Sequence, residues 1–95
     1  MVVIARLVWD SWNVEHISKH DVVQTEVEFA CHGDHVVLQS YQERLLLIAP
    51  VGTRMLAVIL NPQADEGVYY PITARDAGRK ERAFYRQQKG RSPND

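Results

Sequence analysis

Arg75, Arg79, Arg82 and Arg86 lie within ITARDAGRKERAFYRQQ, spaced by four, three and four residues. On a helix turning 100° per residue, Arg79, Arg82 and Arg86 form one narrow stripe, and Arg75 lies near its extension. Ala77 and Phe84 project from the opposite side, flanked by the stem of Lys80, so an apolar face can rest on a sheet while the arginines face out. A guanidinium stays charged and donates two parallel hydrogen bonds to one anion, which suits a phosphate better than it suits mere solubility. A solvated helix face with Glu81 pairing to its neighbours is the other reading, and the pattern alone leaves both open.

Histidines supply a second candidate chemistry. His16 and His20 are four residues apart, and Cys31, His32 and His35 crowd into CHGDH, which raises a zinc site. Against it, the glutamate of EHISKH precedes the first histidine, unlike HExxH, and CHGDH has no second cysteine. Packing beside Trp12 with one ring nitrogen bonded to backbone is the expectation for His16 and His20, and an exposed turn for His32 and His35. Trp9 and Trp12 are expected as core or helix-docking aromatics, with base stacking as the alternative.

Several elements must position these residues. IARLVW (4–9) reads as a first strand, followed by a helix to about His20 with Asp10 or Ser11 as N-cap. A second helix is expected over 24–32, ended by Gly33, with no capping side chain at Val22 or Val23. From Val36 the pattern becomes strands: VVLQSY, RLLLIAPV, RMLAVILN and GVYYPITA, the middle two so apolar that both faces must be covered. Alternation in the last strand puts Val68, Tyr70, Ile72 and Ala74 on one face, and Pro71 calls for an edge or a bulge. A terminal helix follows from Asp76, as N-cap, to about Gln88. The class is α+β: a short N-terminal strand, two helices, a largely antiparallel sheet and a C-terminal helix.

At 95 residues the chain suits one domain, 1–88, with KGRSPND (89–95) as a flexible polar tail. The net charge is −1, but residues 75–91 hold seven of eleven basic residues and two of twelve acids, so this segment is +5 and the rest −6. A bipolar surface with one positive patch follows, where a polyanion would dock. The single cysteine, Cys31, is expected as a core residue in a reducing compartment. Arg6 and Asp10 interrupt any signal-like apolar stretch and no run reaches membrane-spanning length, so the expectation is a cytoplasmic protein without membrane contact.

WDSWNVEHISKHDV and VYYPITARDAGRKERAFYRQ together resemble the two signature blocks of BrnT-type toxins, in order, over about Trp9 to Arg86. Trp9, Asp10, Asn13, His16, Ile17, Lys19 and His20 carry the first block. Thr73, Ala74, Arg75, Glu81, Arg82 and Tyr85 carry the second, and Arg54 resembles the arginine opening the family's penultimate strand. The resemblance implies a RelE-like fold and a metal-independent endoribonuclease, needing no cofactor, that inhibits translation. It also implies a type II toxin–antitoxin system in which an adjacently encoded DNA-binding antitoxin neutralises the toxin, with RNA, free or on the ribosome, as its other partner. The alternative is a non-catalytic module of the same fold that contacts antitoxin or nucleic acid.

Cleaving RNA without a metal requires a base for the 2′-hydroxyl, cations for the phosphorane and an acid for the leaving 5′-oxygen. Arg75, Arg79 and Arg82 are the candidates for phosphate charge, with Arg54 in support and Arg86 extending the binding stripe. His20, Lys19 and Tyr85 are the candidates for proton transfer. Imidazole titrates near neutrality, and a lysine or tyrosine flanked by arginines is expected to have a lowered pKa. Glu81 is expected to orient an arginine, and Asp10 and Asn13 to cap the first helix.

Overall fold

A computed structural model describes residues 2–90 of the chain. Its elements are β1 (Arg6–Leu7), α1 (Ser11–Ser18), α2 (Gln24–His32), β2 (Val36–Gln39), a 3₁₀ turn (Tyr41–Glu43), β3 (Leu45–Val51), β4 (Arg54–Pro62), β5 (Val68–Asp76) and α3 (Arg79–Lys89). The expected α+β layout holds. The five strands lie in the order β1-β5-β4-β3-β2, antiparallel except for the parallel pair β1 and β5. No described helix is long and apolar enough to cross a membrane.

The first strand is shorter than IARLVW predicts. Arg6 and Leu7 pair with Val68 and Tyr69, and the Val8 N–H reaches the Tyr69 carbonyl at 2.9 Å before the chain turns into α1. Gly67 sits where a side chain would be strained: its φ is 81°, and an added Cβ would lie 3.2 Å from the Ala5 Cβ. Its carbonyl accepts the N–H groups of Ala5 and Arg6 and starts the parallel pairing.

β3 and β4 form a hairpin closed by Gly52 and Thr53, with Val51 opposite Arg54 and Gly52 in the left-handed region at φ 61°. Their apolar runs are covered on both faces, as expected. On one face α1 and α2 bury Ile17, Val22, Val27, Ala30 and Cys31 against Leu45, Leu47, Ala49, Leu56, Val58, Leu60 and Ala74. On the other, Ala77, Phe84 and Tyr85 from the α3 region cover Ile48, Ala57, Met55 and Leu46. A fully buried Leu or Ile side chain contributes about 1.5–3 kcal/mol relative to an exposed one, so the larger first cluster dominates stability.

The predicted alternation in β5 breaks at Pro71. Leu60 pairs with Pro71 and Ile59 with Thr73, so Ile72 is the extra residue of a bulge. Pro71 and Ala74 consequently stand opposite Leu60 and Val58 and face the α1–α2 core, in place of the expected Tyr70, Ile72 and Ala74 set. β1 no longer pairs at this point, so the missing N–H of Pro71 costs the ladder nothing.

The C-terminal helix also starts later than predicted. Asp76 still pairs with Leu56 in the sheet, its carboxylate is held by Arg54, and Ala77 donates its N–H to the Met55 carbonyl. Gly78 becomes the N-cap, and the Glu81 side chain accepts the Gly78 N–H at 2.8 Å. At the far end Lys89, expected in a polar tail, is helical and pairs with Asp34. Tail residues 91–95 lie outside the described residues.

Candidate functional site

Four pieces of chain meet at one end of the sheet, and Arg54 joins three of them. From the start of β4 its guanidinium donates to the Asp21 carbonyl at 2.8 Å, contacts the Asp76 carboxylate at 2.9 Å and reaches Glu26 at 3.4 Å. Asp21, at φ 58°, closes the turn that carries Lys19 and His20, so Arg54 ties that turn to the end of β5. Hydrogen bonding to Asp76 raises the pKa of Arg54 further. Asp76, the Asp21 carbonyl and Glu26 take up nearly all of its donors, so Arg54 ties these segments together where direct support of a phosphate was expected.

The fourth piece is the start of α3. Arg75 projects from β5 toward this helix and forms a fork-to-fork pair with Glu81, Nη1–Oε1 at 2.7 Å and Nη2–Oε2 at 2.9 Å. The pairing pushes the arginine pKa up, and the hydrogen bond from Arg75 holds the Glu81 carboxyl below its ordinary range. Glu81 thus does the orienting that its place in the sequence predicts, while also capping the helix. Arg82 folds one nitrogen back to the Ala77 carbonyl at 2.8 Å. Arg79 and Arg86 are exposed and, among the described residues, their side chains make no hydrogen bond or ion pair. The arginine stripe of the helical projection is therefore an outward face of α3.

Tyr85 lies on the half-buried side of α3 and donates its hydroxyl to Asp34 at 2.8 Å. Burial first, and then the bond to Asp34, push the phenol up to about 12. The expectation of a lowered pKa fails because burial disfavours the phenolate and the hydroxyl is then bonded to a carboxylate rather than to the arginines. Asp34 also takes the Lys89 ammonium at 2.6 Å, and the bonds from Lys89 and Tyr85 lower its own pKa. The CHGDH segment thereby anchors the C-terminal half of α3, a role its sequence did not signal.

Lys19 and His20 are exposed on the α1–α2 turn, and neither side chain is hydrogen-bonded among the described residues. The His20 ring meets His16 edge-on at 6.2 Å between centroids. His16 stacks on Trp12 at 4.7 Å with planes 8° apart, as expected, but among the described residues its ring nitrogens make no bond to backbone. Trp12 departs from expectation: 54% of its surface is exposed, so it is neither core nor docked. Trp9 does pack against the core and donates its indole N–H to Glu28 at 2.7 Å.

Asn13 is the residue whose part the sequence understated. It completes a reciprocal capping box with Asp10, Asn13 N–H to Asp10 Oδ1 at 3.0 Å and Asp10 N–H to Asn13 Oδ1 at 2.9 Å. Its amide nitrogen also donates to the Val8 and Pro71 carbonyls at 3.0 and 3.1 Å from a fully buried position. Tyr70 adds its hydroxyl to the Asp10 carboxylate at 2.9 Å, and the Asn13 N–H leads the bonds that lower the Asp10 pKa. Both tethers join α1 to a strand about sixty residues away, beyond the reach of any local pattern.

The histidine and cysteine cluster does not converge. Cys31 is in the core with its thiol pushed up to about 12 by burial, His32 turns to Glu28 at 3.1 Å, and His35 faces the Gly33 carbonyl at 3.0 Å. Among the described residues no three of His, Cys, Asp or Glu gather as a metal site.

No family model, curated protein or solved structure matches the chain.

Proposed function

We propose that the chain is the toxin of a BrnT-like type II toxin–antitoxin pair, a metal-independent endoribonuclease that binds RNA along the arginine face of α3. The observation that carries this reading is the Arg54 junction. It brings the turn bearing Lys19 and His20 to the strand end where Arg75 and the arginines of α3 begin. Candidate residues from two distant blocks of sequence thus share one end of the sheet.

In this reading Arg79 and Arg86 track the RNA backbone, while Arg82 and the donors of Arg75 that Glu81 leaves open, Nε–H and one N–H of Nη2, stabilise the charge that develops on the scissile phosphate. Glu81 keeps the planar Arg75 fork aimed. His20, assisted by Lys19, removes the 2′-hydroxyl proton as the oxygen attacks phosphorus, and the bond to the 5′-oxygen breaks. Tyr85 serves as acid rather than base: a phenol with a pKa of about 12 is protonated at neutral pH and can supply the proton the leaving oxygen needs. RNA binding must then draw its hydroxyl away from Asp34.

A second reading, a binding module that cleaves nothing, is favoured by one specific feature. Tyr85 is engaged by Asp34 and Arg75 by Glu81, and among the described residues no two of Lys19, His20 and Tyr85 are hydrogen-bonded.

Induced expression with mapping of RNA ends separates the two. Growth arrest with new transcript ends is expected, and Arg75→Ala with Arg82→Ala should abolish both. Each lost guanidinium costs about 10²- to 10³-fold, the range for removing one preorganised donor from a developing anion. Intact RNA at full expression of folded protein would leave the binding module. Co-purification with a small DNA-binding protein encoded next to this chain tests the antitoxin.

A further inference from the structure

We infer that Trp12, Glu15 and Lys19, on α1 and the turn that follows it, form a subsite for an unpaired guanine nucleotide of the RNA substrate. The inference rests on the RNA-binding reading above and names a base that the site selects.

A recess of about 100 Å³ opens between Trp12, Glu15, His16 and Lys19, outside the arginine face. Trp12 is more than half exposed, and His16 lies parallel to it at 4.7 Å, stacked against one face of the ring. A large aromatic left this open is a platform for a base, since every base offers a π-face and unpaired bases stack on such side chains.

Glu15 and Lys19 stand one helical turn apart with opposite charges, the spacing of an i,i+4 ion pair. They form no such pair, and among the described residues neither side chain has a hydrogen-bond partner. One carboxylate and one ammonium therefore border the recess with their bonding capacity unspent. A carboxylate only accepts, and it can accept two parallel hydrogen bonds. Of the four bases, guanine alone presents two adjacent donors, N1–H and the N2 amino group, on its Watson–Crick edge. Adenine and cytosine each place an acceptor beside their amino group, and uracil has a single donor between two carbonyls. The ammonium of Lys19 takes the phosphate flanking the stacked base.

The recess lies on α1, whose following turn carries His20. A guanine seated there places the nucleotide beside it close to the proposed base, so the subsite would bias which linkage is cut.

The test uses the full chain and short 2′-O-methyl oligouridylates, which cannot be cleaved, with one central guanosine or adenosine. Fluorescence anisotropy of the labelled oligonucleotides reads affinity. The guanosine probe should bind more tightly. Trp12→Ala should weaken it by about fivefold to a hundredfold, the range for loss of one base–aromatic stack. Trp12→Phe should retain most of the affinity, and Glu15→Gln should bring the guanosine probe down to the level of the adenosine probe. Melting temperatures of the exposed-residue variants identify any that fail to fold. Equal affinity for the two probes, no binding of either, or binding unchanged by Trp12→Ala would overturn the subsite. A chain that discriminates guanosine without cutting RNA keeps the subsite and loses the catalytic reading. One that cuts RNA without discriminating keeps the catalytic reading and loses the subsite.

Discussion

Glu81 concentrates three tasks in one side chain: it accepts the Arg75 fork, caps α3 through the Gly78 N–H and leaves the exposed arginines free for an anion. Its carboxyl titrates below the ordinary glutamate value, chiefly because of Arg75. The unfolded chain therefore binds the proton first, and stability rises with pH across the window between the folded and unfolded values. The contribution is complete above the ordinary glutamate pKa and is lost as pH falls through the depressed one. Glu81→Gln should lower the urea midpoint near neutrality and flatten its decline on acidification from about pH 6 to about pH 3. A decline as steep as in the parent would mean that other carboxylates carry the acid sensitivity. Asn13 offers the sharper stability test. Its loss leaves the buried Pro71 carbonyl without this partner and frees the part-buried Val8 carbonyl and Asp10 N–H to water, so Asn13→Ala should cost about 3 kcal/mol in chemical denaturation, at about 1–3 kcal/mol for the unsatisfied buried group and about 1 kcal/mol for each other lost bond. A loss below about 1 kcal/mol would show that water replaces those bonds.

Helix ends show how the elements were, and were not, legible. The sequence marks α2 correctly at Gln24–His32, because Gly33 ends it and the apolar spacing is regular. Its N-cap, Val23, is extended and exposed and lacks a side-chain acceptor, although Glu26 already bonds the Val23 N–H at 3.1 Å. Val23→Ser would complete the capping box and should stabilise the chain by about 1 kcal/mol, read as a higher melting temperature. An unchanged value would indicate that water already serves the open N–H groups. The start of α3 was misread for a reason that local chemistry cannot reveal. Asp76 is a good N-cap by type, but Arg54, twenty-two residues earlier, takes its carboxylate and the strand continues through it. The bulge at Ile72 was foreshadowed by Pro71, yet which face it would turn inward depended on pairing with β4.

The whole molecule is electrically divided, with +5 in residues 75–91 and −6 elsewhere. α1 and α2 cover one face of the sheet and α3 the other, so the basic helix is held apart from the acidic α2 by the thickness of the sheet. Binding to a single-stranded RNA should accordingly be local and salt-sensitive. Each of Arg79, Arg82 and Arg86 that contacts a phosphate adds about −0.7 to the slope of log K against log salt. Replacing one by alanine should reduce the slope by that amount while weakening all RNA sequences alike, whereas a changed sequence preference with an unchanged slope would place RNA elsewhere on the surface.

The sequence by itself determined the α+β class, the apolar strands β3 and β4, the Asp10 cap of α1 and the outward arginine stripe, because each depends on residues close together in the chain. Periodicity, caps and turn glycines act over a few residues and can be read there. Only the tertiary structure decided which charges remain free. Arg75 and Arg79 look alike in ITARDAGRKER, but β5 and α3 set Glu81 against the first and leave the second open. Burial, and then Asp34 reaching Tyr85 across fifty-one residues, likewise raise a pKa that the neighbouring arginines were expected to lower. Electrostatic environment depends on distance in space, and the sheet brings together charges that lie far apart along the chain.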